Sequence, residues 1–238
     1  MSSMPSKQIL SRRQLLQWSG ISGAGLILSS CGSSLFSEKV GQTFEPLNQS
    51  IEELILSQRP VPEFPMSAIE PGKLLINSFA GTPEINQAQF RLQINGKVNQ
   101  PMQLGLTDLQ KLPLTSMVIR HVCVEGWAAV VQWGGVRLQD LIRLAQPQPG
   151  VRYVYFKSAD GYHESWDIAS ALHPQTLMAY QKNSQPLSAE NGAPLRLASP
   201  IKLGYKQSKW VTEITLLRDL LPQKGYWEDR GYEWFAGL

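Results

Sequence analysis

The sequence predicts a mixed α+β domain, because many short strand patterns are joined by only a few short helical patterns. Two further observations support this class. The 238 residues contain no internal repeat, and they contain no GxGxxG or P-loop pattern that would indicate a doubly wound nucleotide-binding sheet. With 42% hydrophobic and 17% charged residues, the chain can bury a substantial core as one domain or two small ones.

The first 31 residues are expected to be an export signal. Arg12 and Arg13 precede an uncharged stretch, residues 14–30, that is too short and too weakly apolar for a comfortable membrane span. The sequence "SRRQLL" resembles the twin-arginine signal of bacteria, and "LSSC" resembles a lipoprotein lipobox. Cys31 would then carry lipid and anchor the protein on the periplasmic side of the membrane. The alternative is an amphipathic helix with a chance arginine pair.

The distribution of charge argues against nucleic acid as a partner. The formal net charge of +3 comes from Lys7, Arg12 and Arg13, which all lie in the predicted signal, and 19 basic residues remain against 19 acidic ones. Nucleic-acid-binding domains usually carry a concentrated basic surface. A mature chain with balanced charge lacks that indication.

Residues 32–72 are predicted to be a tether and an N-terminal arm, and residues 73–238 to be the globular domain. Residues 49–56 have the pattern of a short helix, but three prolines follow within the next nine residues and prevent regular structure there: Pro60, Pro62 and Pro65.

The first elements of the domain are predicted from alternation and capping. Phe90, Leu92 and Ile94 alternate on one strand face, and Asn95-Gly96 after them is a strong signal for a tight hairpin turn. In "LTDLQKL", a threonine is followed three residues later by a glutamine, which is a capping-box pattern that opens a short helix: Thr107 and Gln110.

The later elements follow from the same rules. Apolar residues at helical spacing predict a helix that ends at Pro147, namely Val136, Leu138, Leu141, Ile142 and Ala145. The stretch 152–168 is predicted to form two strands that turn at Asp160-Gly161, and Asp167 is predicted to cap the short "IASAL" helix. The stretches "PLRLAS" and "KWVTEITLL" are predicted to be further strands.

The stretch "MVIRHVCVEGW" contains the one cysteine of the predicted mature chain, Cys123. As a regular strand it would place Ile119, His121, Cys123 and Glu125 on one face. A lone thiol in an oxidising compartment has no disulfide partner and is exposed to oxidation unless it is buried or bonded. Simple core filling is one interpretation. The neighbouring His and Glu favour a ligand or proton-transfer role instead, because burying them unpaired is costly.

Six motifs in order complete a family resemblance: "CVEGW", "WGGVRLQDLI", "SADGY", "GAPLRLASP", "LGYKQSKWV" and "GYWEDRGY". Together they resemble the sulfite-oxidase-like molybdopterin oxidoreductases over residues 77–232. The likeness is greatest to the bacterial periplasmic branch that includes the catalytic subunit of the methionine-sulfoxide reductase system. The resemblance implies a single α+β domain of mixed sheets with short helices, built around one molybdenum-molybdopterin per chain.

The resemblance also implies roles for residues near the metal. Cys123 matches the cysteine that ligates molybdenum, and Glu125 matches a glutamate beside the metal that can donate or accept a proton. Asn77 matches an asparagine near the metal in the periplasmic branch. Arg120 and His121 precede the cysteine closely enough to touch the cofactor, although Arg120 would point the other way in a regular strand.

A second group matches the region that binds the pterin and its phosphate. Arg196 in "APLRL" and the lysines of "GYKQSKW", Lys206 and Lys209, match basic residues that grip the phosphate, which needs cations or backbone donors. Tyr205 belongs to the same motif and is expected to contact the cofactor. For each cation, an ordinary surface position is the alternative.

Reaction and partners follow from the resemblance and from motifs that the sequence lacks. Sulfite oxidases surround the metal with several arginines, whereas "CVEGW" offers a glutamate, so reduction of an S-oxide or similar small substrate is favoured over sulfite oxidation. The sequence contains no CxxCH haem motif, so no haem is expected in this chain. Electrons are expected to pass through a separate protein, such as a membrane haem protein.

Two other classes of function stay open at this point. A copper-type electron carrier would use His121, Cys123 and Glu125 and would need a further ligand. A non-catalytic lipoprotein would keep the fold and bind a ligand or a partner without a metal.

Overall fold

The computed structural model describes residues 59–238, so the predicted export signal, Cys31 and the helix predicted over residues 49–56 lie outside the described residues. Residues 59–238 fall within one compact unit. Its strands form two sheets that are accompanied by short helices, which confirms the predicted single α+β domain. None of the helices in this part of the chain is both long and apolar enough to span a membrane.

The described part of the chain contains ten strands and three α-helices. The strands are β1 Leu92–Gly96, β2 Met102–Leu104, β3 Thr115–Val122, β4 Ala128–Arg137, β5 Tyr153–Ser158, β6 His163–Asp167, β7 Leu177–Lys182, β8 Gln185–Pro186, β9 Arg196–Ala198 and β10 Val211–Leu217. The helices are α1 Leu106–Gln110, α2 Leu138–Ala145 and α3 Ile168–Ala171. Single 3₁₀ turns cover Met66–Ala68, Gly204–Lys206 and Glu228–Arg230.

One sheet has the strand order β2-β1-β10-β5-β6, with β1 and β10 parallel and the other neighbours antiparallel. The other sheet has the order β3-β4-β7-β8, and β9 pairs with β7 beside this path. Two apolar cores follow from this arrangement. Strand β7 shows both of them, because Met178 and Tyr180 face one core while Leu177 and Ala179 face the other.

The turn predicted at Asn95-Gly96 is wrong, although β1 and β2 do form a hairpin. Both residues belong to β1 and pair in parallel with Thr215 and Leu216 of β10. Gly96 has a φ of +88°, and an added Cβ would lie 2.3 Å from the carbonyl oxygen of Leu216. The glycine is therefore required by the close approach of a distant strand rather than by a tight turn.

The two longer helices form where the sequence predicts them, with changed ends. Helix α1 is capped at Gly105, whose N–H donates to Asp108 Oδ2 at 3.1 Å, so the capping pair predicted from Thr107 and Gln110 is wrong. In α2 the predicted apolar stripe is buried from Leu138 onward. Val136 instead lies in β4, because that strand continues directly into the helix.

The strands β5 and β6 confirm the predicted hairpin around Gly161, which has a φ of +88°. Asp167 caps α3 as predicted, since its Oδ1 accepts from the N–H of Ser170 at 2.6 Å. Strands β9 and β10 occupy the two further stretches that were predicted to be extended.

The strand predicted through the cysteine ends earlier than expected. Strand β3 stops at Val122, and residues 123–126 form the turn that leads into β4. The N–H of Cys123 donates to the Trp127 carbonyl at 2.9 Å, and the N–H of Gly126 donates to the Cys123 carbonyl at 3.2 Å. Ile119 and His121 keep a regular strand position, whereas the turn sets the directions of Cys123 and Glu125.

The described end of the predicted arm lies along the second sheet. The backbone of Phe64 donates to Val118 of β3 at 2.9 Å, and the backbone of Glu70 donates to Val130 of β4 at 3.0 Å. Glu70 also uses its carboxylate to accept from the Val130 N–H at 3.1 Å. These contacts satisfy backbone groups at the strand edges.

Replacing Asp167 with alanine is expected to lower the free energy of unfolding by roughly 3 to 5 kcal/mol. The substitution removes the cap of α3 and leaves Lys202, whose Nζ lies 3.3 Å from Asp167 Oδ2 with both side chains 1% exposed, as a buried cation without its carboxylate. Denaturant unfolding measures the loss. Asp140→Ala removes an exposed carboxylate from α2 and should change stability little; equal losses in the two variants would contradict this account.

Candidate functional site

A cavity of about 430 Å³ opens beside the β3–β4 turn. This volume lies in the usual range of cofactor and small-molecule sites, about 300 to 1,000 Å³. Six parts of the chain line it: residues 74–79, 121–127, 160–162, 190–196, 204–210 and 226–232. Of the lining residues only His121 in β3 and Arg196 in β9 lie in strands, and the others belong to turns and loops.

The thiol of Cys123 and the carboxylate of Glu125 line the cavity next to each other, with Sγ and Oε2 3.6 Å apart. The Trp127 indole N–H and the Asn77 side-chain amide each donate to Glu125 Oε2 at 2.9 Å. These two bonds, that from Trp127 first, lower the pKa of Glu125 below its usual value. Asn77 reaches this carboxylate from 48 residues away along the chain.

The Cys123 thiol has a raised pKa because it is partly buried. The protein alone therefore favours the neutral thiol. A bound metal cation would reverse this preference, since coordination favours the thiolate. The half-buried position at a cavity wall is suited to a ligand and less suited to core filling.

His121 is buried behind the thiol, with its ring centroid 5.9 Å from that of Trp127 and 6.2 Å from that of Trp133. Burial, together with the nearby positive charge of Arg196, lowers its pKa to about 3, so the imidazole is neutral at ordinary pH. Its Nδ1 is buried and has no hydrogen-bond partner among the described residues. A neutral ring with an unused nitrogen is available to a group bound in the cavity.

Arg196 provides a positive charge at the cavity wall. Its guanidinium donates to three backbone carbonyls, those of Leu197, Asn191 and Gln207, at 3.1, 3.1 and 3.3 Å. It lies 4.5 Å from the ring centroid of Trp133, and burial lowers its pKa to about 9. Within residues 59–238 no carboxylate forms an ion pair with it. A buried cation in this position creates a demand for an anion.

Lys209 is a second cation in the cavity wall. Its Nζ donates to the Glu190 carbonyl at 2.9 Å and lies 4.2 Å from the Trp210 ring centroid. Burial and the charge of Arg196 lower its pKa to about 8. An added Cβ at Gly192 would meet the Cβ atoms of Arg196 and Lys209 at 3.0 and 3.1 Å. The glycine thus allows the two cationic residues to approach each other.

The cavity is also lined by polar residues that the sequence analysis did not single out: Asn191, Gln207 and Ser208. The hydroxyl of Ser208 is buried and has no partner among the described residues. Gln207 and Ser208 stand between the two lysines of the quoted "GYKQSKW" motif, so the motif marked the right stretch. Charge alone could not show that the uncharged positions also face the cavity.

Two residues that the resemblance placed at the cofactor do not line the cavity. Lys206 is fully buried elsewhere, with its Nζ 2.5 Å from both Glu164 and Glu228, so the expected contact with a phosphate is wrong in this structure. Arg120 is exposed on the opposite face of β3, 5.1 Å from the ring centroid of Phe64. A regular strand requires this, because alternate side chains point to opposite faces.

The remaining predicted residues come together around the cavity. They are Asn77, His121, Cys123, Glu125, Arg196, Tyr205 and Lys209. Tyr205 lies at the wall with its hydroxyl donating to the Glu233 carbonyl at 2.6 Å, and burial raises its pKa above the ordinary value.

An aromatic rim, defined as Phe79, Tyr226, Trp227 and Tyr232, surrounds the open side of the cavity. Ring centroids of Phe79 and Tyr226 are 4.3 Å apart, and those of Trp227 and Tyr232 are 5.0 Å apart. Part of this surface is accessible, with Phe79 44%, Trp227 36% and Tyr232 41% exposed. The entrance can therefore make apolar contacts with whatever enters.

The copper-type alternative lacks a structural basis in the described residues. No group of three or more His, Cys, Asp or Glu side chains is placed there to hold a metal ion on protein ligands alone. Among the described residues, a metal bound at Cys123 would therefore need ligands other than a cluster of His, Cys, Asp and Glu side chains.

Comparisons with known proteins give a consistent result. The sequence profile of a family described as oxidoreductase molybdopterin binding domain matches residues 79–227. YedZ1 of Azospira oryzae, provisionally assigned as a protein-methionine-sulfoxide reductase subunit, is 40% identical over 68% of this chain and 62% of its own length. The protein-methionine-sulfoxide reductase catalytic subunit MsrP of Campylobacter jejuni subsp. jejuni is 31% identical over 60% of this chain and 53% of its own length.

The MsrP of Ralstonia nicotianae is 34% identical over 57% of this chain and 45% of its own length. The matched region thus spans about half to three fifths of these relatives. The solved structure of the sulfane dehydrogenase SoxCD from Paracoccus pantotrophus has a TM-score of 0.58 at 23% identity, and covers 69% of this chain and 49% of that one. This likeness concerns the fold, and it confirms the predicted sulfite-oxidase-like arrangement.

Lys209 is expected to make anion binding depend on pH. Sulfate should bind to the cofactor-free chain below about pH 8 and bind progressively less well above it, because the lysine loses its charge as the pH rises through its pKa of about 8. Calorimetric titration across this range measures the effect. Lys209→Met should weaken binding by at least about tenfold and remove the transition near this pH.

Lys157→Met is the matched control, since Lys157 is an exposed lysine paired with Glu213 away from the cavity. It should bind sulfate like the unchanged chain. Affinity that is the same in the Lys209 variant would show that the cavity cations do not form an anion site.

Proposed function

The chain belongs to the oxidoreductase molybdopterin-binding domain family, and we propose that it is an exported enzyme that reduces an S-oxide at a molybdenum held by Cys123. The observation that carries the proposal is that one cavity is lined by two chemically different groups of side chains. One group is a thiol beside a carboxylate, and the other is the pair of cations Arg196 and Lys209, which donate to backbone carbonyls. The carboxylates of Asp160 and Glu190 also act on Lys209 through their charge, but neither forms an ion pair with it within residues 59–238.

The described residues fit a molybdopterin by their chemistry. A thiolate is a suitable ligand for molybdenum, and the cations Arg196 and Lys209 are suited to bind a phosphate. The unpartnered polar atoms at the walls, Ser208 Oγ and His121 Nδ1, are available to the polar groups of a pterin. The roles of Cys123, Arg196, Lys209, Asn77 and Tyr205 in this fit remain proposals.

When bound, the molybdenum cofactor supplies the two-electron chemistry of oxygen-atom transfer. The chain supplies the surroundings. Asn77 and Trp127 hold the Glu125 carboxylate by two hydrogen bonds, at 2.9 Å each, close to the Cys123 sulfur. Because these bonds lower its pKa, Glu125 is ionised at neutral pH. Its Oε2 already accepts from Asn77, Trp127 and the Cys123 thiol, so Oε1 is the oxygen that can accept and return a proton. The aromatic rim restricts the access of water.

An S-oxide is the proposed substrate class rather than sulfite. Reduction converts R₂S=O, two electrons and two protons into R₂S and water, and it starts from a neutral molecule. Glu125 places a negative charge beside the thiol, which disfavours a dianion such as sulfite. Of the two arginines predicted near the cofactor, Arg196 lines the cavity with its guanidinium held by backbone carbonyls, and Arg120 faces away, so the several arginines of sulfite oxidases have no counterpart among the lining residues. The names of the matched relatives, which refer to methionine-sulfoxide reductase, support the same choice.

The two electrons are proposed to come from a separate protein. No CxxCH haem motif occurs in the sequence, and the relatives are named as a subunit and as catalytic subunits. A membrane haem protein is the proposed donor. Export by the twin-arginine route and a lipid on Cys31 are likewise proposed, from the resemblance of residues 1–31 to such signals.

Cys123→Ser should abolish turnover and lower the molybdenum content without unfolding the domain, because serine keeps the shape of the turn but is a much weaker ligand for the metal. The protein should be purified from a host that makes the cofactor and measured by elemental analysis and a fluorescence assay for oxidised pterin. Cys31→Ser is the matched control and should keep both metal and pterin. Neither metal nor pterin in the unchanged chain, or copper in their place, would refute the proposal.

The loaded enzyme should oxidise a reduced viologen in the presence of methionine sulfoxide, and it should turn over sulfite far more slowly. The physical reason is the carboxylate beside the thiol. Glu125→Gln should leave the neighbouring donors in place but remove the charge and the proton acceptor, so reduction of the sulfoxide should slow by roughly a hundredfold. Faster turnover of sulfite than of any S-oxide would reverse the assignment of direction.

A further inference from the structure

The aromatic rim depends on a short C-terminal segment, residues 224–232, that belongs to neither sheet. Three of the four rim residues lie in it: Tyr226, Trp227 and Tyr232. A segment without strand partners needs other contacts to keep a fixed position. The segment is held to β6 by the Ser165 hydroxyl, which donates to the Lys224 carbonyl, and by the Tyr226 N–H, which donates to the His163 carbonyl at 3.1 Å. A buried charged contact is added by Glu228, at the start of the 3₁₀ turn Glu228–Arg230.

Glu228 is joined to the body of the domain through Lys206. The Lys206 ammonium lies 2.5 Å from Glu228 Oε1 and 2.5 Å from Glu164 Oε1 of β6, and it donates to the Ser165 carbonyl at 3.0 Å. The exposed fractions of the three charged side chains are 0% for Lys206 and Glu164 and 1% for Glu228. This buried group is called the lysine brace below.

The lysine brace has one more carboxylate than it has cations. Glu164 Oε2 and Glu228 Oε2 are both buried without a partner in the described residues. Desolvation raises the pKa of Glu164 well above its usual value. Such a group is expensive to bury, and removing one partner of a buried pair usually costs more than the pair contributes. Its presence under the rim therefore calls for a role beyond stability.

The brace also links the segment to the cavity wall on the other side. Lys206 ends the 3₁₀ turn Gly204–Lys206, and its neighbours Tyr205 and Gln207 line the cavity. The Tyr205 carbonyl accepts from the Tyr162 hydroxyl at 2.6 Å. One buried ammonium thus connects the wall that carries Tyr205 with the segment that carries Trp227.

We propose that Lys206 is a positioning residue that acts through Glu228 to hold residues 224–232 over the cavity and so sets the aromatic rim that receives the substrate. The part about substrate rests on the function proposed above, whereas the part about the segment does not. The family resemblance implied that Lys206 contacts a phosphate. In this proposal Lys206 instead fixes the position of the rim through its buried contact with Glu228.

Glu228→Ala is the sharpest test, because it leaves Lys206 and Glu164 as a neutral pair and removes the contact between Lys206 and the segment, while the bonds of Lys224 and Tyr226 to β6 stay in place. Trypsin should cut after Lys224 and Arg230 about tenfold faster than in the unchanged holoenzyme, since the segment opens more often. The KM for methionine sulfoxide should rise by roughly three- to tenfold, with kcat and molybdenum content nearly unchanged.

Glu228→Gln should restore wild-type behaviour in both measurements, because its amide oxygen still accepts from the Lys206 ammonium. Lys202→Met is the matched control for damage to a buried lysine. Lys202 pairs with Asp167 and donates to the Phe235 carbonyl at 2.5 Å, so the variant should lose stability but keep its KM.

Two results would overturn the proposal. One is cleavage of Glu228→Ala at the unchanged rate, which would show that the brace does not hold the segment. The other is an equal rise of KM in Glu228→Ala and Lys202→Met, which would reduce the brace to general stability. A chain without molybdenum would refute the proposed function instead, and the trypsin comparison would still decide on the segment.

Discussion

The buried guanidinium of Arg196 is the constraint on which the site depends. A charge removed from water without a carboxylate partner is costly, and the chain offsets that cost with three carbonyl acceptors and the face of Trp133. The position follows from the sheet, because Arg196 pairs with Ala179 at the start of β9. Strand β7 in turn pairs with β4, which leads back to the turn that carries Cys123. Sheet pairing therefore links the strand that carries Arg196 to the turn that carries Cys123.

The three buried cations near this region show why residue type alone does not define a role. Lys202 and Lys206 are each matched by buried carboxylates, whereas Arg196 is matched only by neutral groups. Paired cations stabilise a particular arrangement of the chain, and an unpaired one is suited to bind an anion. The phosphate role expected for Lys206 was wrong because Lys206 and Lys209 share one motif, but the 3₁₀ turn at Gly204–Lys206 directs Lys206 into the interior and leaves Lys209 at the cavity.

Local patterns predicted the class of the fold and most of its elements. Gly161 and Asp167 act within a few residues of themselves, so their roles could be read from their neighbours. The role of Gly96 could not be read from its neighbours, because it is required by the close approach of Leu216, which lies in a strand 120 residues later. In the site, the quoted motifs marked the Cys123 turn, the stretch with Ser208 and residues 225–232, but their meeting around one cavity depends on tertiary contacts that no local pattern shows.

This difference bears on where the selectivity of the site can vary. Cys123 is held in place by the hydrogen bonds of the β3–β4 turn, and Arg196 by the pairing of β9 with β7. The two segments at the entrance, residues 74–79 and 226–232, belong to no strand, and the second contains the 3₁₀ turn Glu228–Arg230. They contact each other through Phe79 and Tyr226, whose ring centroids are 4.3 Å apart. Side chains at the entrance can therefore change shape and polarity without disturbing the pairing that holds Cys123 and Arg196, provided that the buried anchors beneath the segments are kept.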